Sequence, residues 1–188
     1  AHSTMTWGDG SAVAGRRWKG VSGPIDPSWK AVVDSVWALG FSIGPSVVAY
    51  LASRVLGEQQ RRPWHSEYAM PSLWRYYRPS RAAHGSYWFN WTTENEMDWK
   101  ENYRLWMTFL NEYKNRGGRV TLGSDSGYIY NLYGFGYIQE MELLREAGFH
   151  PLEVIRSATI LAAEALGADD EIGSIQVGKR ADFVMVSE

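Results

Sequence analysis

The sequence predicts an α/β protein with a parallel sheet, and three features point to this class. Short runs of β-forming residues alternate along the chain with longer segments of helical periodicity. The helical segments start at capping signals and stop at glycines. The order is helix, strand, long loop, helix, strand, and then two helices before a terminal hairpin. Because strands that alternate with helices form βα units, neighbouring strands are expected to run parallel.

The first predicted unit is a helix followed by a strand. Residues 1–25 are rich in Gly, Ser and Thr and are expected to be loop. Asp26 is a good N-cap and Pro27 suits the first helical position, and Gly40 ends the helix. Residues 41–50 are predicted to be a strand whose pairing is interrupted at Pro45. The apolar stripe of the helix is Trp29, Val32, Val33, Val36 and Trp37.

A long aromatic segment, residues 51–92, separates this unit from the next. Residues 51–60 are predicted to be helical, whereas the remainder has three prolines and no clear period. A segment of this length inside a compact domain is usually functional, so we expect a lid or a pocket wall. The chain has ten tryptophans, all of them before residue 107. They indicate either a core and loops held by aromatic anchors, or a wall for a planar or sugar-like ligand.

The C-terminal half is predicted to contain three helices, one strand and a hairpin. Thr93-x-x-Glu96 is a capping box for the first helix, which Gly117 and Gly118 end. The strand covers residues 119–124, and two helices that stop at Gly148 and Gly167 follow it. Two short strands around a Gly178-Lys179 turn complete the pattern. The expected buried faces are Trp99, Tyr103, Trp106, Leu110 and Tyr113; Ile138, Met141 and Leu144; and Ile155, Thr159, Ala162 and Leu166.

Charge and cysteine content exclude several classes of protein and site. The net charge of -2 gives no electrostatic basis for binding nucleic acid or an anionic membrane. No cysteine is present, which excludes disulfides and thiolate metal sites but leaves the compartment open. No apolar run approaches the roughly 20 residues that a membrane span needs.

The stretch RVTLGSDSGY, residues 119–128, presents a single acid where a predicted strand ends. Working residues of parallel α/β folds lie at the carboxyl ends of strands, and Asp125 is at such an end. The glycines and serines on either side let the backbone turn sharply beside a ligand or a metal. On this pattern alone, Asp125 is equally suited to be a helix N-cap or a turn former.

The C-terminal third resembles the C-terminal part of the amidohydrolase superfamily over about residues 117–186. Four elements occur in the family's order: GSDSG, then HPLEVIRSATILAAEALG after a helix, and finally IGSIQVGKRADFVMV. The helix and strand at residues 27–50 also fit the preceding barrel strand of that family. His150 stands where many relatives carry Ser or Thr, and ILAAEAL replaces the usual Asn-Pro-Ala segment. The long aromatic segment fits only loosely.

The resemblance implies the C-terminal part of a (β/α)8 barrel, plus a short β segment of a small β-sandwich domain. Residues 1–166 would be the partial barrel, with the aromatic loop at 51–92, and residues 167–188 would be strands of the sandwich. The family binds one or two divalent metals, which implies zinc here, at the barrel mouth. Its ligands are a His-x-His, a bridging Lys or Glu, two single histidines and a strand-end Asp. Only that Asp matches a residue here, and it is Asp125, as metal ligand and proton acceptor.

The resemblance therefore implies a metal-dependent hydrolase that acts on amide-like C–N bonds by metal-activated water, with peptides and cyclic amides as candidate substrates. The sequence has no His-x-His, and a barrel needs about 200 residues or more. We therefore expect a C-terminal fragment of a longer enzyme that is inactive alone. Its expected partners are a small-molecule substrate, the rest of the same chain and further copies in a homo-oligomer, with neither nucleic acid nor a membrane.

Several further side chains are candidates for the site. His84, Tyr87 and Trp88 lie in the aromatic loop, which would line the barrel mouth and contact substrate. Tyr128 or Tyr130 could roof the pocket, and His2 could be the sixth-strand metal ligand. The other candidates have structural interpretations: His65 as a loop residue, His150 as a helix cap, Lys179 as a turn cation and Asp182 as a residue of the tail strand.

Two other functions remain open on the residues alone. The tryptophan content also fits an aromatic-rich carbohydrate- or protein-binding module without catalysis, and the metal content of the parent protein separates that reading from a hydrolase. Glu94 and Glu96 could be read as the paired acids of a glycosidase, but their place in a capping box explains them better as helix-start charge.

Overall fold

Two short parallel strands lie side by side at the centre of a mostly helical chain. The computed structural model describes residues 20–82, 89–127 and 129–187. Strand β1 is Ser42–Ile43 and strand β2 is Arg119–Val120, paired in parallel with Ser42 opposite Arg119. The amide of Thr121 extends the ladder by donating to the carbonyl of Ile43 at 2.8 Å. This mixed architecture agrees with the predicted α/β class, while a closed barrel stays a prediction.

Helices α1, α2 and α7 begin where the sequence indicates. Helix α1 has Asp26 as its N-cap, with the side chain accepting from the amide of Ser28 at 2.9 Å. His150 caps α7 as predicted, accepting from the amide of Leu152 at 3.3 Å. In chain order the helices are α1 Pro27–Ala38, α2 Leu51–Gln59, α3 Pro63–Tyr68, α4 Pro71–Tyr77, α5 Thr93–Asn115, α6 Phe135–Glu146, α7 Pro151–Ala158 and α8 Ile160–Leu166.

Only the second and third residues of the strand predicted over residues 41–50 form a strand, and the rest of that prediction is wrong. β1 ends at Ile43, and a 3₁₀ helix covers Val47–Tyr50. Pro45 has no N–H to continue a ladder, and Ser46 takes a left-handed conformation at φ 45°. The amides of Val47 and Val48 then donate to a carboxylate instead of to a strand, so a helical turn forms.

The loop predicted for residues 61–92 is also wrong in part, because it contains helices α3 and α4. Each begins with proline at a first position, Pro63 and Pro71, where the missing N–H would have had no helical partner. Neither helix shows a period in the sequence because each is only six or seven residues long. His65, expected in a loop, lies in α3 and is buried.

The capping box of α5 is displaced by one residue from the prediction. Thr92 is the N-cap, its side chain accepts from the amide of Asn95 at 3.4 Å, and Asn95 accepts from the amide of Thr92 at 3.0 Å. Asn at this position replaces the predicted Glu96, which lies one residue further along the first turn. Its neighbour Glu94 has a similar role as helix-start charge.

Helix α5 supplies the largest part of the core, as its stripe predicts. All five residues of that stripe are buried, and Trp99 packs edge-on against Trp106 with ring centroids 5.7 Å apart. Trp29 from α1 meets Phe109 in a second edge contact at 5.9 Å. Much of the tryptophan content is thus used in packing, and Trp37 of the predicted α1 stripe is half exposed.

The predicted buried faces of the later helices are partly wrong. In α6 Leu144 is buried, but Ile138 is exposed and Gln139 and Glu140 are buried in its place. The predicted helix 151–166 breaks at Thr159, where φ is -128° and ψ is -94°. The exposed positions there include Ile155 and Leu166, while Val154, Ser157 and Ala163 face inward.

The tail forms a turn rather than the two predicted strands. No strand is assigned within residues 167–187. Lys179 acts in that turn as expected, donating to the side chain of Ser174 at 2.7 Å and to the carbonyl of Asp169. Apolar side chains such as Val184 and Met185 are strongly exposed, so no strand among the described residues covers them. The assignment of this segment to a small β-sandwich stays a prediction.

Candidate active site

Asp125 lies in a tight turn beyond the carboxyl end of β2. Its side chain is exposed, and its backbone is left-handed at φ 44°. Few residues other than glycine adopt this conformation, although aspartate and asparagine tolerate it better than most. The strand predicted over residues 119–124 is wrong beyond Val120, so Asp125 lies five residues past the end of β2. The turn there presents its carboxylate to solvent.

The turn around Asp125 is closed by hydrogen bonds to the segment that follows. The side-chain amide of Asn131 donates to the carbonyl of Ser124 at 2.6 Å and, more weakly, to that of Asp125 at 3.5 Å. The amide of Gly127 donates to the carbonyl of Asn131 at 2.8 Å. The hydroxyls of Ser124 and Ser126 are 2.7 Å apart and hydrogen bonded. The turn is therefore held from both sides.

The loop after β1 lies beside this turn and is fixed by Glu140. Its carboxylate is fully buried and accepts from the amides of Val47 at 3.0 Å and Val48 at 2.7 Å. Burial raises the pKa of Glu140 to about 7, although the two N–H groups act in the opposite direction. Next to this loop, a Cβ on Gly123 would lie 3.6 Å from the hydroxyl of Ser46. The carboxyl ends of β1 and β2 thus meet at one edge of the sheet.

The aromatic segment packs against the loop that follows Asp125. The hydroxyl of Tyr77 in α4 donates to the carbonyl of Gly127 at 3.1 Å, and the hydroxyl of Tyr130 donates to the carbonyl of Tyr77 at 2.8 Å. Gln60 donates to the hydroxyl of Tyr130 at 3.0 Å. These contacts place α4 beside the turn that carries Asp125.

His65 contributes an aromatic face to the same part of the molecule. Its ring meets Trp74 edge-on at 4.9 Å and Tyr130 at 6.1 Å. Neither ring nitrogen has a hydrogen-bond partner among the described residues. Burial lowers the pKa of His65, and the nearby charge of Arg62 acts in the same direction. A neutral ring packed among aromatic side chains fits a structural role.

The remaining predicted site residues lie outside the described part of the chain. These are His2, His84, Tyr87, Trp88 and Tyr128, and their proposed contacts stay predictions. Tyr130, the alternative to Tyr128 as a pocket roof, is buried beneath the aromatic segment. Sequence reasoning missed Asn131 and Glu140. Glu140 lies outside the apolar stripe predicted for α6, and no local pattern marks Asn131.

The described residues fit one ligand of a metal site. An exposed carboxylate is an oxygen donor of the kind zinc accepts, and catalytic zinc sites use three protein ligands. Within residues 20–82, 89–127 and 129–187, no three His, Cys, Asp or Glu side chains are grouped closely enough to hold a metal ion. In the same ranges, no helix has both the length and the apolar character to cross a membrane.

Comparison with known proteins identifies the segment that carries Asp125. The sequence model of the amidohydrolase family matches residues 106–188. An imidazolonepropionase from Symbiobacterium thermophilum is 40% identical over 76 residues, covering 38% of this chain and 17% of that protein. A 5'-deoxyadenosine deaminase from Methanobrevibacter smithii is 41% identical over 49 residues, covering 26% of this chain and 11% of that protein.

The two relatives are thus matched over less than a fifth of their own length. No solved structure matches the chain. The resemblance predicted from GSDSG and the two downstream motifs is confirmed by the family match. The similarity to the amidohydrolase family model thus covers residues 106–188, the part of the chain that carries Asp125.

Proposed function

We propose that this chain forms part of a metal-dependent hydrolase that cleaves C–N bonds in amide-like substrates, with peptides and cyclic amides as candidate classes. The observation that carries the proposal is the exposed carboxylate of Asp125 in a braced turn at the end of β2, inside the family segment. The names of both relatives, an imidazolonepropionase and a deoxyadenosine deaminase, support C–N bond chemistry.

Asp125 has the properties of a proton acceptor in such a reaction. One or two divalent metal ions, zinc in this proposal, would lower the pKa of bound water to about 7. The Asp125 carboxylate would accept the proton that the attacking water loses and deliver it to the leaving nitrogen. The turn keeps this carboxylate at the sheet edge, where it can face a substrate. The other metal ligands would lie in the remaining part of a (β/α)8 barrel in a longer chain.

Metal removal tests the proposal in the protein that contains these residues. Dialysis against a chelator is expected to abolish hydrolysis of a panel of amides and cyclic amides, and added zinc is expected to restore it. Metal content measured by mass spectrometry should follow activity, and a melting curve checks that the apo protein remains folded. Full hydrolysis by folded protein without bound metal would contradict the proposal.

The aromatic segment is proposed to govern which substrates enter. Its helix α4 is fixed beside the Asp125 turn by the Tyr77 and Tyr130 hydrogen bonds. The candidate contacts His84, Tyr87 and Trp88 follow that helix in the sequence, outside the described residues.

Trp88→Ala is expected to change the order of preference among substrates more than it changes stability, since Trp88 is proposed to contact substrate. The measurement is kcat/KM for at least three amides, together with the melting temperature. Trp74→Ala is the matched control because Trp74 packs against Tyr130 at 5.1 Å. This control should lower the free energy of unfolding by about 1–3 kcal/mol, which is less than the loss from removing a fully buried aromatic side chain. An unchanged order of preference in Trp88→Ala, with only a lower melting temperature, would show that the segment is packing.

A further inference from the structure

We propose that Asn131 is a positioning residue that fixes the direction of the Asp125 carboxylate. The inference rests on the proposed role of Asp125 and adds a residue that acts through it. Asn131 is fully buried, six residues beyond the acid in a segment without regular secondary structure. Its side-chain nitrogen contacts the carbonyl oxygens of Ser124 and Asp125, at 2.6 and 3.5 Å.

These two carbonyls lie on either side of the Asp125 α-carbon. The Ser124 carbonyl belongs to the peptide group whose rotation changes φ of Asp125, and the Asp125 carbonyl belongs to the peptide group whose rotation changes ψ. A single donor in contact with both carbonyls therefore restrains both angles. Because the Cα–Cβ bond direction follows from these angles, Asn131 also restrains where the carboxylate points.

The backbone of Asp125 needs such a restraint. A left-handed residue other than glycine lies in a sparsely populated region, at a cost of order 1–3 kcal/mol, and persists when its surroundings hold it there. Tyr130, immediately before Asn131, is also left-handed at φ 60°. The backbone hydrogen bond from the amide of Gly127 to the carbonyl of Asn131 closes the turn between Asp125 and Tyr130.

Gly136 provides the room that the Asn131 side chain occupies. A Cβ at position 136 would lie 1.9 Å from the Asn131 side-chain oxygen and 2.8 Å from the Ser126 hydroxyl. Neither distance is possible, so any larger residue displaces the amide or the start of α6. That oxygen has no hydrogen-bond partner among the described residues, so the contribution of the side chain comes from its nitrogen.

Two variants disturb this contact by independent routes. Asn131→Ala removes the donor, and Gly136→Ala retains it but pushes it out of place. Both are expected to lower kcat by about 10- to 100-fold with KM within about twofold, because a small misplacement of a reacting group has effects of this size. The matched controls are Asn102→Ala, a buried asparagine of α5, and Gly57→Ala, where the nearest atom to a new Cβ is 3.6 Å away. Both controls should retain kcat.

A double-mutant cycle separates positioning from general damage. Asn131→Ala is measured alone and in the Asp125→Asn background, at enzyme concentrations that allow residual turnover to be detected. If Asn131 acts through the carboxylate, it should have no further effect on kcat once that carboxylate is absent. Equal fold losses in both backgrounds, or a wild-type kcat in folded Asn131→Ala or folded Gly136→Ala protein, would overturn the inference. A wild-type kcat in Asp125→Asn would instead overturn the proposed function itself.

If Asn131→Ala does not fold, Gly136→Ala is tested in the same cycle, since it retains every polar group. Stability is followed by thermal unfolding for every variant. A folded Gly136→Ala protein with wild-type kcat, whatever happens to Asn131→Ala, would show that the position of the amide does not matter for turnover.

Discussion

Asp125→Asn is expected to lower kcat by about 10²- to 10⁴-fold while the fold survives. Asparagine has the same shape but cannot accept the proton that the attacking water loses. It also tolerates the left-handed backbone, so the turn has no reason to rearrange. Because the side chain is exposed, stability should change by no more than about 0.5 kcal/mol. Steady-state kinetics and a thermal melt on the same sample measure both quantities.

The control for this variant is Asp182→Asn, which removes an exposed carboxylate from the tail. Its kcat should match that of the wild type, since no role in the reaction is proposed for it. Near-wild-type turnover in Asp125→Asn would contradict the assignment of Asp125 as proton acceptor. A collapse of the melting temperature in Asp125→Asn would show that the carboxylate is structural.

Glu140→Leu is expected to destabilise the protein by about 2–5 kcal/mol, the second large effect. The carboxylate is the acceptor for the amides of Val47 and Val48, and a leucine leaves both N–H groups buried without it. Removing a buried carboxyl also relieves its own desolvation, which offsets part of this loss. Glu140→Gln retains one acceptor oxygen and should lose less stability. Chemical denaturation gives the free energy of unfolding, with Glu146→Gln as an exposed-acid control.

Glu140 should also make stability depend on pH. Its folded pKa of about 7 lies above the ordinary value of 4.5, so between these values the folded state binds more protons than the unfolded state. The contribution of this group is therefore fully present below about pH 4.5, falls as pH rises, and is lost by about pH 7. Linkage puts the whole change at about 3 kcal/mol. Subtracting the Glu140→Gln profile from that of the wild type isolates it, and equal slopes would contradict it.

Helix boundaries were largely predictable because their signals are local. Asp26 and Pro27 start α1, His150 caps α7, and the stripe from Trp99 to Tyr113 is the buried face of α5. Each depends on residues within a few positions in sequence, where capping and periodicity act. The place of Asp125 after a strand was predictable for a related reason, because it follows the β-forming residues 120–122 within the segment that the family model matches. Its role in a reaction stays a prediction.

Strand lengths and the surroundings of the acid depend on contacts between distant residues. After β1 the strand expected over residues 41–50 gives way to a helical turn at Val47–Tyr50, where the amide of Val47 donates to a carboxylate 93 positions further on. Glu140 reads as an ordinary helix charge until the fold buries it against those amides. Asn131 likewise has no local signal, and its role follows only from where its amide nitrogen lies relative to two carbonyls. Local propensity thus selects the elements. Buried polar partners decide how the segments between them fold, because a buried N–H or C=O must find a partner wherever the chain supplies one.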